Sequence, residues 1–353
     1  MDHWLEGLRI APTDEAAASA ARRRWNALAK PIGALGLLED AVVRIAALTG
    51  SPDVDVSRRC VAVLCADNGV VAEGVSQCGA EVTAAVARSV ALGTSTICRM
   101  CEPVGIDCIA ADMGMRAPLG LACVRDLRVA AGTGNIALGP AMTREQALRG
   151  IRAGVELVGA LAGEGYRLIA AGEMGIGNTT TSTAMACALT GRDPKALTGR
   201  GAGLSDAGLE RKVRTIRRAL AANDPDPSDP LDILAKLGGF DIAGLCGLFL
   251  GGAVHRVPVV IDGLIGAVAA VCAVRLRREC ACALLASHLS SEPAAADLMA
   301  ELGLEPPIKA GMHLGEGTGA ACLVPLLDMA LSLYREGTTF EECGIEPYEV
   351  HPR

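Results

Sequence analysis

The rhythm of apolar and polar positions changes near residue 55. Before it, Glu15–Ala29 is alanine-rich, and Leu38, Val42, Ile45 and Leu48 recur at helical spacing within Leu35–Leu48. Both stretches predict helices. Lys30-Pro31-Ile32-Gly33 interrupts the period between them. From residue 60, short β-rich runs alternate with longer alanine-rich ones, the pattern of βαβ units on a parallel sheet. Strands are expected near Cys60–Cys65, Asp107–Ala111, Arg167–Ala171, Val257–Ile261 and Ala281–Ala286. Thr143 with Gln146 three residues on predicts a capping box opening a helix whose apolar positions include Leu148, Ile151, Val155 and Val158. Beyond about Pro306 the pattern gives a loop, a long helix over Ala320–Tyr334 and a polar tail.

The most apolar stretches, Ile242–Val254 and Gly263–Val274, are shorter than the ~18 uncharged residues of a membrane span, so they are expected to be buried core. The start, Met1-Asp-His-Trp-Leu-Glu6, has no apolar run of the secretory kind, so no signal peptide is expected.

Composition narrows this picture. A length of 353 residues suits one large domain with a smaller partner. The chain is 51% hydrophobic but only 2% aromatic, so the core is built from Ala, Leu, Val and Ile, with 42 Gly permitting close backbone approach. That profile fits helices on a parallel sheet buried on both faces. A net charge of −7 without any basic stripe argues against nucleic acid. The 14 cysteines fall largely in apolar runs, including Cys60, Cys65, Cys108, Cys246, Cys272 and Cys322, as buried thiols of a reducing cytoplasm would. Cys98-Arg-Met-Cys101 has metal-like spacing, but no second pair follows at zinc spacing, so no metal is expected.

Each predicted strand is followed by a polar residue, usually beside glycine: Asp67-Asn68-Gly69, Asp112-Met-Gly114, Gly172-Glu173, Asp262-Gly263 and Ser287-His288. Carboxyl ends of parallel strands form the ligand crevice of open α/β sheets, so five in register predict a site there. Gly172-Glu-Met-Gly-Ile-Gly-Asn-Thr-Thr-Thr181 joins strand to helix. Gly175 and Gly177 can turn backbone N–H groups toward an anion at the helix N-terminus, and Asn178 and Thr179 can add side-chain donors. The simpler alternative is a tight turn with a helix cap. This is neither a Walker loop nor the dinucleotide fingerprint, which leaves a nicotinamide-dependent dehydrogenase unsupported. Thr198-Gly-Arg-Gly-Ala-Gly-Leu-Ser-Asp206 is a second glycine-rich turn, followed by a helix bearing Lys212. Taken alone, Lys212 reads as a surface lysine; with the two turns it could enclose one phosphate. Glu316, between two glycines ahead of the last long helix, is either a ligand-facing carboxylate or an acid placed well for the helix dipole. Ser287-His288 lacks a nucleophile elbow, which argues against a hydrolase.

Together these segments resemble the nicotinate-nucleotide:dimethylbenzimidazole phosphoribosyltransferase family. The resemblance runs through Lys30–Glu39, Ala66-Asp-Asn-Gly-Val70, Glu73-Gly-Val-Ser76, Asp112-Met-Gly114, Pro140-Ala-Met-Thr143, Gly172–Thr181, Thr198–Gly201, Pro258–Gly263, Ser287-His-x-Ser290 and Leu314–Ala320. It implies an α/β fold, a Rossmann-like parallel sheet with flanking helices in residues 56–305. A small helical domain would be built from residues 1–55 and 306–353. It also implies a cytoplasmic homodimer without cofactor, which moves the phosphoribosyl group of nicotinate mononucleotide onto 5,6-dimethylbenzimidazole or a related base. The family's base falls on Glu316, its phosphate loop on Gly175–Thr179, its preceding acid on Glu173, its phosphate-side lysine on Lys212 and a base-contacting serine on Ser76. Gly201 and Gly203 of the second turn, with Asp262, Ser290 and Leu314, complete the expected substrate-binding set. The chain departs from the family pattern at Asn68 (usually His), Cys78-Gly79, Ala84-Ala85, Pro293-Ala294 and His313 (commonly Arg). The phosphate loop is kept while pocket-side positions become small. Purine or phenolic acceptors, and a non-catalytic ligand-binding homologue, therefore stand as alternatives.

Overall fold

The computed structural model describes residues 3–349. The first two residues of the acidic start and the last four of the polar tail lie outside that description. The sheet has six strands: β1 (Arg59–Ala66), β2 (Asp107–Gly114), β3 (Arg125–Asp126), β4 (Leu168–Met174), β5 (Val259–Ile261) and β6 (Leu284–Ala286). Their order is β3-β2-β1-β4-β5-β6, and every neighbouring pair is parallel. The sheet reverses its build direction between β1 and β4, the kind of switch point at which open α/β sheets bind ligands.

Strand β1 shows how the pattern becomes two cores. Cys60, Ala62 and Leu64 face one side, with helices Arg144–Gly163, Phe240–His255 and Gly263–Leu276 packed over them. Val61, Val63 and Cys65 face the other, covered by helices Glu15–Ala27, Leu37–Thr49, Glu81–Ala91 and Thr318–Glu336. The two most apolar stretches become buried helices, as their length predicts. Among the described residues no helix is long and apolar enough to cross a membrane. The capping box at Thr143 is present in both directions, with Gln146 N donating to Thr143 Oγ1 at 3.1 Å and Thr143 N to Gln146 Oε1 at 2.9 Å.

The chain ends meet. Ala29 N donates to Thr338 O at 2.9 Å, and the Trp25 and Tyr334 rings lie 4.9 Å apart. Trp25, Leu28, Leu331 and Tyr334 join the core of one sheet face, while Leu5 and Leu48 join the core of the other.

One strand expectation needs correction, and one strand was not expected. Residues Arg278–Ala283 form a 3-10 helix, so the last strand is confined to Leu284–Ala286; a short apolar run does not distinguish the two. Strand β3 is too short and too polar to register as a strand in the sequence.

Glycine permits a close helix contact between helices Arg144–Gly163 and Phe240–His255. A Cβ on Gly154 would lie 2.1 Å from the Gly244 carbonyl oxygen and 2.8 Å from Gly247 Cα. Backbone on both sides cannot yield as a side chain could. Gly154→Ala is expected to destabilise the fold by about 3 kcal/mol. Denaturant titration checks this, and an unchanged midpoint would show that the helices separate freely.

Candidate active site

The site forms where β4, β5 and β6 end and the chain's last segment returns. Strand β4 delivers Glu173 and Met174, then turns through Gly175–Gly177 into helix Asn178–Thr190. Gly177 holds φ 93°, a left-handed value suited to glycine. Gly175 is needed for space, because a Cβ there would sit 2.6 Å from Asp241 Oδ2 and 2.7 Å from Ala66 O. The Glu316 turn approaches β4 closely: a Cβ on Gly172 would lie 2.8 Å from the Glu316 carbonyl oxygen.

These elements enclose a cavity of about 210 Å³. Ser76, Glu173, Gly175, Gly177, Asn178, Thr179, Gly201, Asp262, Ser290, Leu314 and Glu316 all line it, as expected from the sequence. Gly203 and Lys212 do not. Gly203 accepts a hydrogen bond from Gln77 Nε2 through its carbonyl instead. Lys212 lies one layer behind the wall, where its Nζ donates to Thr179 Oγ1 at 2.8 Å and Gly199 O at 3.2 Å. It is fully buried, which corrects the surface-lysine reading of its local sequence. Burial pushes its ammonium down to about 8, with Glu292 opposing the shift.

The five strand ends do not all converge. Glu173, Asp262 and His288 reach the cavity, but Asp67 and Asp112 serve the backbone. Asp67 Oδ2 accepts from Arg116 N at 2.7 Å, and Asp112 Oδ1 accepts from Gly114 N and Met115 N at 2.9 and 2.8 Å. Asn178 is also redirected. Its Nδ2 donates to Glu173 Oε2 and, at 3.0 Å, to Asp241 Oδ2, so buried carboxylates claim the amide expected to face an anion. Likewise Gly201 N donates to Glu292 Oε1 at 3.0 Å.

The electrostatics separate the acids. Burial, helped by Asp241, pushes Glu173 up to about 8, leaving it largely protonated at neutral pH. Asp241 is pushed up to about 6, again by burial, while its bonds to neighbouring donors pull it down. Glu316 is also raised, chiefly by burial, against hydrogen bonding from the Ile97 backbone. Its Oε2 is buried without a hydrogen-bond partner. The contest between burial and local donors is thus won by burial, the direction that suits a carboxylate waiting for a proton.

Sequence reasoning did not place Asp241 or Glu292 at the site, and it named His313 only as a departure from the family pattern. Glu292 lies two residues beyond Ser290 and so adjoined a segment already singled out, whereas Asp241 stands just after a Gly238-Gly239 pair. His313 and the half-exposed Leu314 sit at the mouth.

Known proteins resemble this chain over nearly its whole length. The family described as phosphoribosyltransferase matches residues 10–345. The nicotinate-nucleotide–dimethylbenzimidazole phosphoribosyltransferase of Desulforudis audaxviator is 44% identical over 338 residues, covering 96% of each chain. The protein of that name from Acetivibrio thermocellus is 43% identical over 328 residues, 93% of each chain. The crystal structure of CobT from Thermus thermophilus superposes with a TM-score of 0.88 at 37% identity, covering 94% of this chain and all of that one.

Proposed function

Since the chain belongs to the nicotinate-nucleotide–dimethylbenzimidazole phosphoribosyltransferase family, we propose that it transfers the phosphoribosyl group of nicotinate mononucleotide to 5,6-dimethylbenzimidazole or a related lower-ligand base. Nicotinate and α-ribazole 5′-phosphate leave. The observation that carries this reading is that Glu316 and the Gly175–Thr179 turn line one cavity, and that one Glu316 carboxylate oxygen there has no hydrogen-bond partner.

The donor's phosphate lies at the start of helix Asn178–Thr190, with Lys212 supplying positive charge from behind Thr179. A largely neutral Glu173 reduces repulsion of that phosphate. The acceptor ring occupies the mouth between Ser76, Leu314 and Glu316. Its nitrogen attacks C1′ as the C1′–pyridinium bond breaks, and that bond's electron pair neutralises the departing ring. Glu316 takes the acceptor's N–H proton. Conversion of a β-nucleotide to an α-product is one inversion, so holding two rings on opposite faces of C1′ does much of the work. Residues 306–353 carry the base and residues 56–305 the phosphate turn, so the small domain closes the site. The working form is a cytoplasmic homodimer.

Of the departures from the family pattern, His313 is the one that lines the cavity; it keeps purine and phenolic acceptors in view, because Glu316 can deprotonate N–H or O–H alike. Incubation with nicotinate mononucleotide and a panel of acceptors separates them. Dimethylbenzimidazole is expected to give the riboside fastest. Turnover of a phenol alone would overturn the acceptor, and binding without nicotinate release would overturn catalysis.

A further inference from the structure

Asp262 ends β5 and occupies the position from which a side chain normally caps the helix that follows, Gly263–Leu276. It makes no such cap. Its carboxylate crosses instead to a helix far along the chain. Oδ2 accepts from Gly317 N at 3.1 Å, and Oδ1 accepts from Ala320 N at 3.0 Å. These are the opening amides of helix Thr318–Glu336, whose own N-cap, Gly317, has no side chain to offer. The residue just before that cap is Glu316.

Glu316 needs such restraint. It sits at φ 59°, a left-handed conformation that residues with a Cβ seldom adopt, between Gly315 at 85° and Gly317 at 88°. One side of the turn is fixed by the sheet. A Cβ on Gly317 would lie 2.5 Å from Val61 Cγ1 and 3.2 Å from Gly172 Cα. Asp262 grips the other side. His288 closes over the contact, with Nδ1 3.8 Å from Asp262 Oδ1 and so near Gly319 that a Cβ there would meet it at 1.8 Å. Asp262 is 3% exposed, and both its oxygens are occupied by protein donors.

We infer that Asp262 is not a substrate ligand but the positioning residue of Glu316, holding the Gly315–Gly317 turn so that the carboxylate meets the acceptor's proton. The inference rests on Glu316 being the base. It also has an electrostatic side. The titratable groups around the turn are Asp262 from β5, Glu173 from β4, Cys65 from β1, His288 beyond β6 and His313 on the turn's own loop. Of these, Asp262 adds to the burial that raises Glu316, so its negative charge makes the base more basic as well as better placed.

Asp262→Asn keeps the shape and one acceptor oxygen but loses the charge. The expected result is a fall in kcat of at least about tenfold, with KM for nicotinate mononucleotide within about twofold of the wild type. The acid limb of kcat should also move to lower pH, which a merely structural defect would not cause. A KM raised tenfold at unchanged kcat would make Asp262 a substrate ligand and overturn the inference. Unchanged kcat with an unchanged limb would overturn it too. Should the variant fail to fold, amide exchange in the wild-type protein decides: Gly317 and Ala320 N–H are expected to be protected, and free-peptide rates would sink the proposed grip. Glu316→Gln runs alongside. If that variant keeps full turnover, the base reading itself has failed; if it is inactive while Asp262→Asn behaves normally, only the inference about Asp262 has.

Discussion

Glu316→Gln is expected to lower kcat by about a thousandfold, the scale of losing a positioned general base, while nicotinate mononucleotide binds within a few-fold of its wild-type affinity. Glutamine has the same length and the same backbone demands, so the turn at φ 59° is no more strained than before. The Asp262 bonds to Gly317 N and Ala320 N do not involve the substituted side chain. What disappears is a proton acceptor. In the wild-type enzyme the base form is needed, so kcat rises with pH through the Glu316 titration, and burial sets that limb above the ordinary carboxylate range. The variant should show neither that limb nor its activity. Single-turnover assays that follow nicotinate release between pH 4 and 9 provide the test. Equal turnover by the glutamine variant would remove Glu316 from the chemistry.

What was legible in the sequence was what short stretches of chain decide. The capping box at Thr143 depends on residues three apart, and the turn at Gly175–Gly177 on two glycines before a helix start; both are found as read. The apolar run at Cys60–Cys65 likewise marked a strand buried on both faces, as β1 is. Partners chosen across the fold were not legible. Asp112 and Asp262 look alike in sequence, an acid closing an apolar strand near a glycine. One turns back on its own chain at Gly114 and Met115, and the other reaches helix Thr318–Glu336. The destination of each depends on which segment packs over the strand end. Asn178 was read as a donor for an anion because its neighbours suggested one. Asp241, sixty-three positions away, accepts that donor instead. Hydrophobic pattern brings such residues together, but hydrogen-bond satisfaction inside the cavity then assigns their roles.

Lys212→Met is expected to raise KM for nicotinate mononucleotide by about 100-fold, the counterpart of a charge-assisted bond of about 2–3 kcal/mol, with a smaller effect on kcat. The substitution keeps the length and apolar stem of a fully buried side chain and removes only its charge. Removing the ammonium also leaves the Glu292 charge without its nearby cation, so the variant is expected to lose some stability, which its ligand-free denaturant midpoint reads. Thr179 Oγ1 and Gly199 O lose their shared donor, and the proposed phosphate loses its cation. The wild-type pH dependence follows from the same group. Its ammonium is depressed to about 8 from an ordinary value of 10.5, so substrate affinity should weaken as pH rises above about 8. Stability should run the other way. Between pH 8 and 10.5 the unfolded chain binds more protons at this lysine than the folded protein does, so this group's contribution to stability grows as pH rises through the window. The methionine variant should lose both trends. Calorimetric titration with nicotinate mononucleotide at pH 7 and pH 9 reads the first, and denaturant midpoints at pH 8 and 10 read the second. Unchanged affinity in the variant at pH 7 would place the phosphate away from Thr179 and Lys212, and with it the donor half of the proposed site.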